Sequence, residues 1–200
     1  IAGSSTASDD FSTTANPISS PPWTQGTGFN ERGQALNSHY AQITGATESC
    51  AFYSGVSWTG DHFSQATLIA KASLDYAVCC RLDSNSPTGK QGYAFGGYPN
   101  FFNHLWRIWK WNNGTVTSLA AGGENTAVND VAYFEASGSS LTGKANTVTK
   151  VSVTDTDFNA GSPGLLVNDT LLNFEGWDTW SAADLAAGAG KPYAIYAQQQ

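Results

Sequence analysis

Short runs of alternating apolar and polar residues recur along most of the chain, separated by clusters of Gly, Asn, Ser and Pro. A period of two marks strands with one buried face, and regular turn clusters between them suit an antiparallel sandwich. The clearest strands are 64–71 (SQATLIAK), 75–83 (DYAVCCRLD) and 105–111 (LWRIWKW). After the last come Asn112-Asn113-Gly114 and a partner run at 115–119; Asn-Gly between two such runs is the strongest hairpin signal in the chain. Further strands are expected at 131–136, 148–153 and 171–175. No sustained helical period precedes residue 179. Beyond it, 181–187 (SAADLAA) offers Ser181 as a helix cap with Asp184 three residues on, so a short helix is expected there. Residues 1–8 are small and polar and read as a flexible arm, and the apolar, Tyr-rich strip 191–197 reads as a second arm.

The 200 residues suit one large sandwich, because two halves would each have a thin core. The expected division is an arm at 1–8, a sandwich at 9–178 and an extension at 179–200. Charged residues make up 12% of the chain, about half the roughly 25% usual in globular domains, and small polar residues take their place. Such a surface suits an extracellular or particle-bound protein. The net charge is −7, and the nine Lys and Arg are scattered singly, so no nucleic-acid partner is expected. No apolar run reaches membrane-spanning length, and no membrane insertion is expected. The three cysteines, Cys50, Cys79 and Cys80, cannot all pair within one chain. Free thiols acting as small apolar residues are expected, with a disulfide from Cys50 to Cys79 or Cys80 as the alternative.

Several segments in order resemble the concanavalin-A-like, laminin-G-like jelly rolls of phage virion proteins and secreted bacterial proteins. Asp9-Asp10-Phe11 followed by Trp23 resembles that family's opening. LWRIWKWNNGTVTSL at 105–119 resembles its central hairpin, and 160–165 with 172–178 (LNFEGWD) resembles its close. The chain departs from the family at 135–144 (EASGSSLTGK) and in the tail after 178. The resemblance implies an antiparallel two-sheet jelly-roll sandwich with its first and last core strands side by side. Asp10-Phe11 should then pair near Asn173-Phe174, with both terminal extensions over one region. It also implies that Trp106 and Ile108 face the core, leaving Arg107, Trp109 and Trp111 outside. Alternation likewise assigns Tyr76, Val78, Cys80 and Leu82 inward and Ala77, Cys79, Arg81 and Asp83 outward.

Glucanases of this fold carry three carboxylates in a Glu-x-Asp-x-x-Glu strand, one as nucleophile and one as general acid. That spacing is absent here, and the five Glu stand apart. Asp155 and Asp157 share a strand face but read as a solvated loop. The three His are dispersed among unlike neighbours, so no catalytic residue is expected. Trp109 and Trp111, with Arg107 and Arg81 beside them, are the candidate glycan platform: indole faces stack on pyranose rings and Arg hydrogen-bonds hydroxyls. The opposing reading covers these rings with protein. No cofactor is required, but related jelly rolls often hold a structural calcium where the first and last strands meet, and Asp10 and Asp178 are the candidate ligands. Leu185, Tyr193, Ile195 and Tyr196 in the tail are the candidate contacts to other subunits.

The expectation is a non-catalytic structural, decoration or adhesion domain on a virion surface or extracellular assembly. Its terminal arms would grip neighbouring subunits, and surface glycans would be further partners. The alternative is a carbohydrate-binding module of a secreted protein with an aromatic platform; a glycoside hydrolase of the same fold ranks third.

Overall fold

In a computed structural model, residues 4–11, 22–25, 29–33, 39–43, 49–70, 74–83, 90–100, 103–168 and 176–186 are described. Among them the chain forms strands and no helix. In chain order these are β1 (Thr6–Asp9), β2 (Trp23–Gln25), β3 (Phe29–Gly33), β4 (His39–Ile43), β5 (Ser49–Tyr53), β6 (His62–Ala70), β7 (Tyr76–Leu82) and β8 (Gly92–Asn100). They continue with β9 (Asn103–Asn112), β10 (Thr115–Asn125), β11 (Val131–Ser137), β12 (Ser140–Ala145), β13 (Val148–Thr154), β14 (Ser162–Val167) and β15 (Gly176–Asp184). Two antiparallel sheets result, as expected. Sheet I runs β13-β12-β11-β6-β15-β4-β3, with β1 also on β15; sheet II runs β10-β9-β8-β7-β14-β5-β2.

Where alternation is regular, the sequence reading and the structure coincide. Strand β11 alternates strictly between half-buried and buried positions, with Ala132, Phe134 and Ala136 in the core between the sheets. The β9–β10 hairpin turns through Asn113 (φ 50°) and Gly114 (φ 77°), and two positive φ values are what a two-residue turn of the favoured hand requires. The strand expected at 171–175 lies outside the described residues. Strands β8, β12 and β14 were not anticipated: β8 and β14 are buried almost throughout, so neither shows alternation.

The C-terminal boundary is corrected. Residues 179–184 are the second half of β15, which lies between β6 on one side and β1 and β4 on the other. The expected helix at 181–187 is therefore strand up to Asp184, and the expected break after 178 falls inside a central strand. A bulge at the expected boundary breaks the alternation there. Thr179 adopts φ 54°, and the register shifts between Asp178 and Ser181. Trp177 and Trp180, three residues apart as on a helix, thereby both enter the core.

The N-terminal arm is corrected with it, since Thr6–Asp9 pairs with β15 from Thr6↔Ala183 to Asp9↔Trp180. First and last strands do lie side by side, while residues 173–174, where the pairing was expected, lie outside the described residues. Asp9 also explains the opening motif. Its carboxylate accepts the Phe11 N–H (2.8 Å) and the Trp23 indole N–H (2.7 Å), and both rings enter a core cluster with Tyr53 and Trp180. Asp184, 7% exposed, accepts the backbone N–H groups of Ser5 (2.9 Å) and Thr59 (2.8 Å). The sheets are stitched through the middle. Trp180 donates to Ser64 Oγ (2.9 Å), which donates to Gly164 O of sheet II, and Trp177 donates to Leu166 O (3.1 Å).

The central strands of sheet II are buried on both faces. Tyr76, Val78 and Cys80 of β7 enter the intersheet core, while Ala77 and Cys79 enter a second cluster on the opposite face. Arg81 then takes φ 57°, and three residues of β7 span two of β14. The extra residue inverts the phase. Leu82, expected in the main core, joins the outer cluster, and Arg81 is buried.

Candidate ligand cleft

The bulge at Arg81 builds the site. The guanidinium is 1% exposed and binds loops from both sheets: Nε to Gly60 O (2.6 Å), Nη1 to Phe158 O (2.7 Å), and Nη2 to Gly138 O (2.9 Å) and Asp61 Oδ1 (3.2 Å). Its backbone N–H donates to His62 Nε2 (3.1 Å), and burial pulls that imidazole down to about 4. A neutral ring that keeps Nε2 as acceptor is consistent with both facts. Gly161 passes so close that a Cβ there would lie 2.4 Å from the Arg81 carbonyl carbon, and its φ of 126° favours glycine independently.

The segment between β13 and β14 is held from below by a second set of contacts. Lys110 Nζ reaches Asp155 Oδ2 (2.5 Å) and Asp157 Oδ2 (2.6 Å). Asp155 Oδ1 accepts from Tyr93 Oη (2.7 Å) and from the Asp157 N–H (3.0 Å), and Tyr93 Oη accepts the Phe158 N–H (3.0 Å). Burial acts to raise the Asp155 carboxyl, but hydrogen bonds from Lys110 and Tyr93 outweigh it and hold the group below the usual carboxylate range. Burial and the bond to Asp155 push the Tyr93 phenol up to about 12, so it remains a donor. The Phe158 ring packs on Tyr93 at 5.1 Å. Asp155 and Asp157, read as a solvated pair, are thus the anchors of this loop.

Between this loop and the end of β7 lies an open cleft of about 270 Å³, lined by Arg81, Asp83, Gln91, Asp157, Phe158 and Asn159 among others. Asp83 Oδ1 accepts the Gln91 N–H (2.9 Å), and Gln91 Nε2 donates to Asn113 Oδ1 (3.0 Å), so the opposite wall is also fixed. Carboxylate oxygens accept, amides both donate and accept, and a half-buried phenyl ring offers an apolar face. That combination fits a polyhydroxylated molecule. The sequence reading missed this site because its walls are some seventy residues apart in the chain, about the span from Arg81–Asp83 to Asp157–Gly161.

The expected platform is not an exposed one. Trp109 and Trp111 do face away from the intersheet core, but they are 0% and 1% exposed. They meet edge to face at 5.9 Å in the outer cluster of sheet II, where Ala77, Cys79 and Ala94 leave room for indoles to lie down. Lys90 Nζ sits 4.2 Å from the Trp111 ring centroid, and the half-buried Arg107 places its guanidinium 4.3 Å from the Tyr98 ring centroid. Among the described residues the indole N–H groups have no hydrogen-bond partner, and packing holds this cluster. Arg81, expected outside beside them, is the buried anchor described above.

Leu185, a candidate subunit contact, is half-buried on its own domain and donates its N–H to Asp61 O (2.9 Å). Tyr193, Ile195 and Tyr196 lie outside the described residues. Of the calcium candidates, Asp10 is exposed, and the half-buried Asp178 accepts the Thr179 N–H (2.7 Å). No group of three or more His, Cys, Asp or Glu able to hold a metal gathers among the described residues. The three cysteines are buried. Cys50 and Cys79 are separated by β14, two strand spacings or roughly 9.5 Å, beyond the ~7 Å Cα limit for a disulfide.

No family model matches the sequence, and no curated protein sequence matches it. Solved structures do match the fold. The carbohydrate-binding module CBM66 from Bacillus subtilis superposes with a TM-score of 0.58 at 18% identity, over 82% of this chain and 92% of that one. The exoplasmic/lumenal domain of VIP36, in its Ca2+/Man3GlcNAc-bound form, gives 0.59 at 15% identity over 84% and 86%. The transglycosylase Crh5, in its apo form, gives 0.53 at 8% identity over 90% and 84%. The chain therefore has the concanavalin-A-like jelly-roll fold, which hosts binding modules, lectin domains and enzymes alike.

Proposed function

We propose that this domain is a non-catalytic carbohydrate-binding module of the extracellular space, taking a hydroxyl-rich ligand in the cleft beside Arg81. The observation that carries the reading is the cleft itself, in which acids, amides and a phenyl ring line a loop anchored at Asp155, Asp157 and Phe158. Preorganised polar groups lose little freedom on binding, which favours weak, hydroxyl-directed recognition. The Asp157 carboxylate is engaged by Lys110, which helps to place the loop. Two binding proteins among the structural neighbours, a carbohydrate-binding module and a domain solved with Man3GlcNAc, support the same reading.

Carbohydrate binding is favoured over the decoration reading. Residues 179–184, assigned to an assembly arm, are a strand of this domain, and the Leu185 N–H is bonded to Asp61 O of the same domain. A glycan array followed by calorimetry tests the cleft. Asn159→Ala and Gln91→Ala should each weaken binding about ten-fold while the melting temperature stays unchanged. Undiminished binding by both folded variants would remove the cleft from the site.

A further inference from the structure

The outer face of sheet I, away from sheet II, carries a group of side chains that the cleft does not use. Cross-strand register places Tyr133 of β11 opposite Lys144 of β12 and Gln65 of β6. Glu135 stands opposite Thr142 and Phe63. The rows continue onto β15 and β1, Gln65 facing Ser181 and then Ser8, and Phe63 facing Ala183 and then Thr6. The residues between these on each strand, such as Ser64, Ala66, Phe134 and Ala182, are buried, so this set points outward.

At the centre, Phe63 and Tyr133 stack at 5.0 Å with 26° between ring planes. Lys144 Nζ lies 4.8 Å from the Tyr133 ring centroid, and Tyr133 Oη donates to Glu135 Oε2 (2.7 Å). The rings and the carboxylate are thereby fixed in place. Around them are hydroxyls and an amide.

The composition selects the occupant. One cation and one carboxylate offset each other, which gives no purchase to a nucleic acid or another polyanion. The large hydrophobic residues that are exposed among the described ones, Val56, Val116, Val128 and Val148, are not in this set, so the apolar core of a stable protein interface is lacking. Phe63 and Lys144 take the two sides of the Tyr133 ring, so the patch offers the Phe63 ring, the Tyr133–Glu135 pair and the surrounding hydroxyls and amide, a set that suits a neutral sugar chain. Along the chain the patch adjoins residues that anchor the cleft. Asp61, two residues before Phe63, and Gly138, three after Glu135, hold the Arg81 guanidinium that lines the cleft from the other side.

We infer that the Phe63–Tyr133–Gln65 patch is a second glycan-contacting surface, which takes further units of a neutral polysaccharide whose other segment occupies the cleft. The inference rests on the carbohydrate-binding reading of the cleft. It is tested on the full chain by calorimetry with linear manno-, gluco- and arabino-oligosaccharides, from disaccharides to long chains. Asn159→Ala, in the cleft, should weaken binding at every length. Gln65→Ala and Tyr133→Leu should leave disaccharide binding intact and weaken long-chain binding up to about ten-fold, the size of one lost hydrogen bond for Gln65 and of the disrupted Tyr133–Glu135 pair for Tyr133. Melting temperatures verify folding, and if Tyr133→Leu is destabilised, Gln65→Ala at its half-buried position carries the test alone. Long-chain binding equal to the parent in folded Gln65→Ala, with Asn159→Ala impaired, would overturn the second surface and leave the cleft standing. Equal losses at all lengths in the patch variants would also overturn it. Unchanged binding at all lengths in Asn159→Ala would overturn the cleft, and the second surface with it.

Discussion

Replacing Lys110 by Met removes the cation that holds both acids of the cleft loop while keeping most of the stem's apolar contact. The Lys110 and Asp155 side chains are 14% and 11% exposed, but Asp157 is 44% exposed. The Asp157 pair is therefore largely screened and adds little. The loss is dominated by Asp155, left nearly buried with the Tyr93 hydroxyl and the Asp157 N–H as its remaining donors. Leaving a buried charged group short of one partner costs about 1–3 kcal/mol. The sign with pH follows from the direction of each shift. Asp155 is held below its ordinary value, so its contribution is present above the unfolded carboxylate pKa of ~3.9 and lost as pH falls through the folded value. Burial opposes the Lys110 charge, but the two acids outweigh it and hold its amine above the ordinary range; that contribution is lost only as pH rises through the folded value. Urea unfolding of parent and variant at pH ~7 and at pH ~3 should show a gap of about 1–3 kcal/mol that narrows in acid. Glycan affinity should fall with the looser loop. A gap below ~0.5 kcal/mol at neutral pH, or one that stays constant into acid, would refute the reasoning.

Trp109→Ala should destabilise by about 3–5 kcal/mol, as for a buried indole, and act on binding only through stability; loss of glycan affinity with an unchanged melting temperature would restore the platform. A chain ending at residue 178 should fail to fold, because it lacks Trp180, Ala182 and Asp184 and leaves β1 with no partner; a folded monomer by circular dichroism would contradict the assignment of β15. Native thiols should resist a thiol reagent and react as three only after denaturation, since burial raises all three and pushes Cys50 up to about 12; fast native labelling would show that the outer cluster opens.

Local chemistry alone determined much of this molecule. Alternation in 131–136 and Asn113-Gly114 in the hairpin specify backbone states that neighbours enforce wherever the segment lies. The segments resembling a jelly roll at 9–23, 105–119 and 160–178 encode contacts that the fold makes, Asp9 to Phe11 and Trp23 among them. Tertiary structure decided the rest, for three reasons. Bulges at Arg81 and Thr179 insert one residue and invert every face after them, so period-two reading placed Leu82 in the wrong cluster, and the strand that continues past Thr179 was taken to end at 178. Alternation distinguishes two faces of a strand but not whether the outer face is dry, and sheet II buries Trp109 and Trp111 on its outer side. The cleft, finally, joins Asp83 and Gln91 to Asp157 and Asn159 across two connections, a meeting set by the order of strands in the sheets, on which the spacing of residues along the chain carries no information.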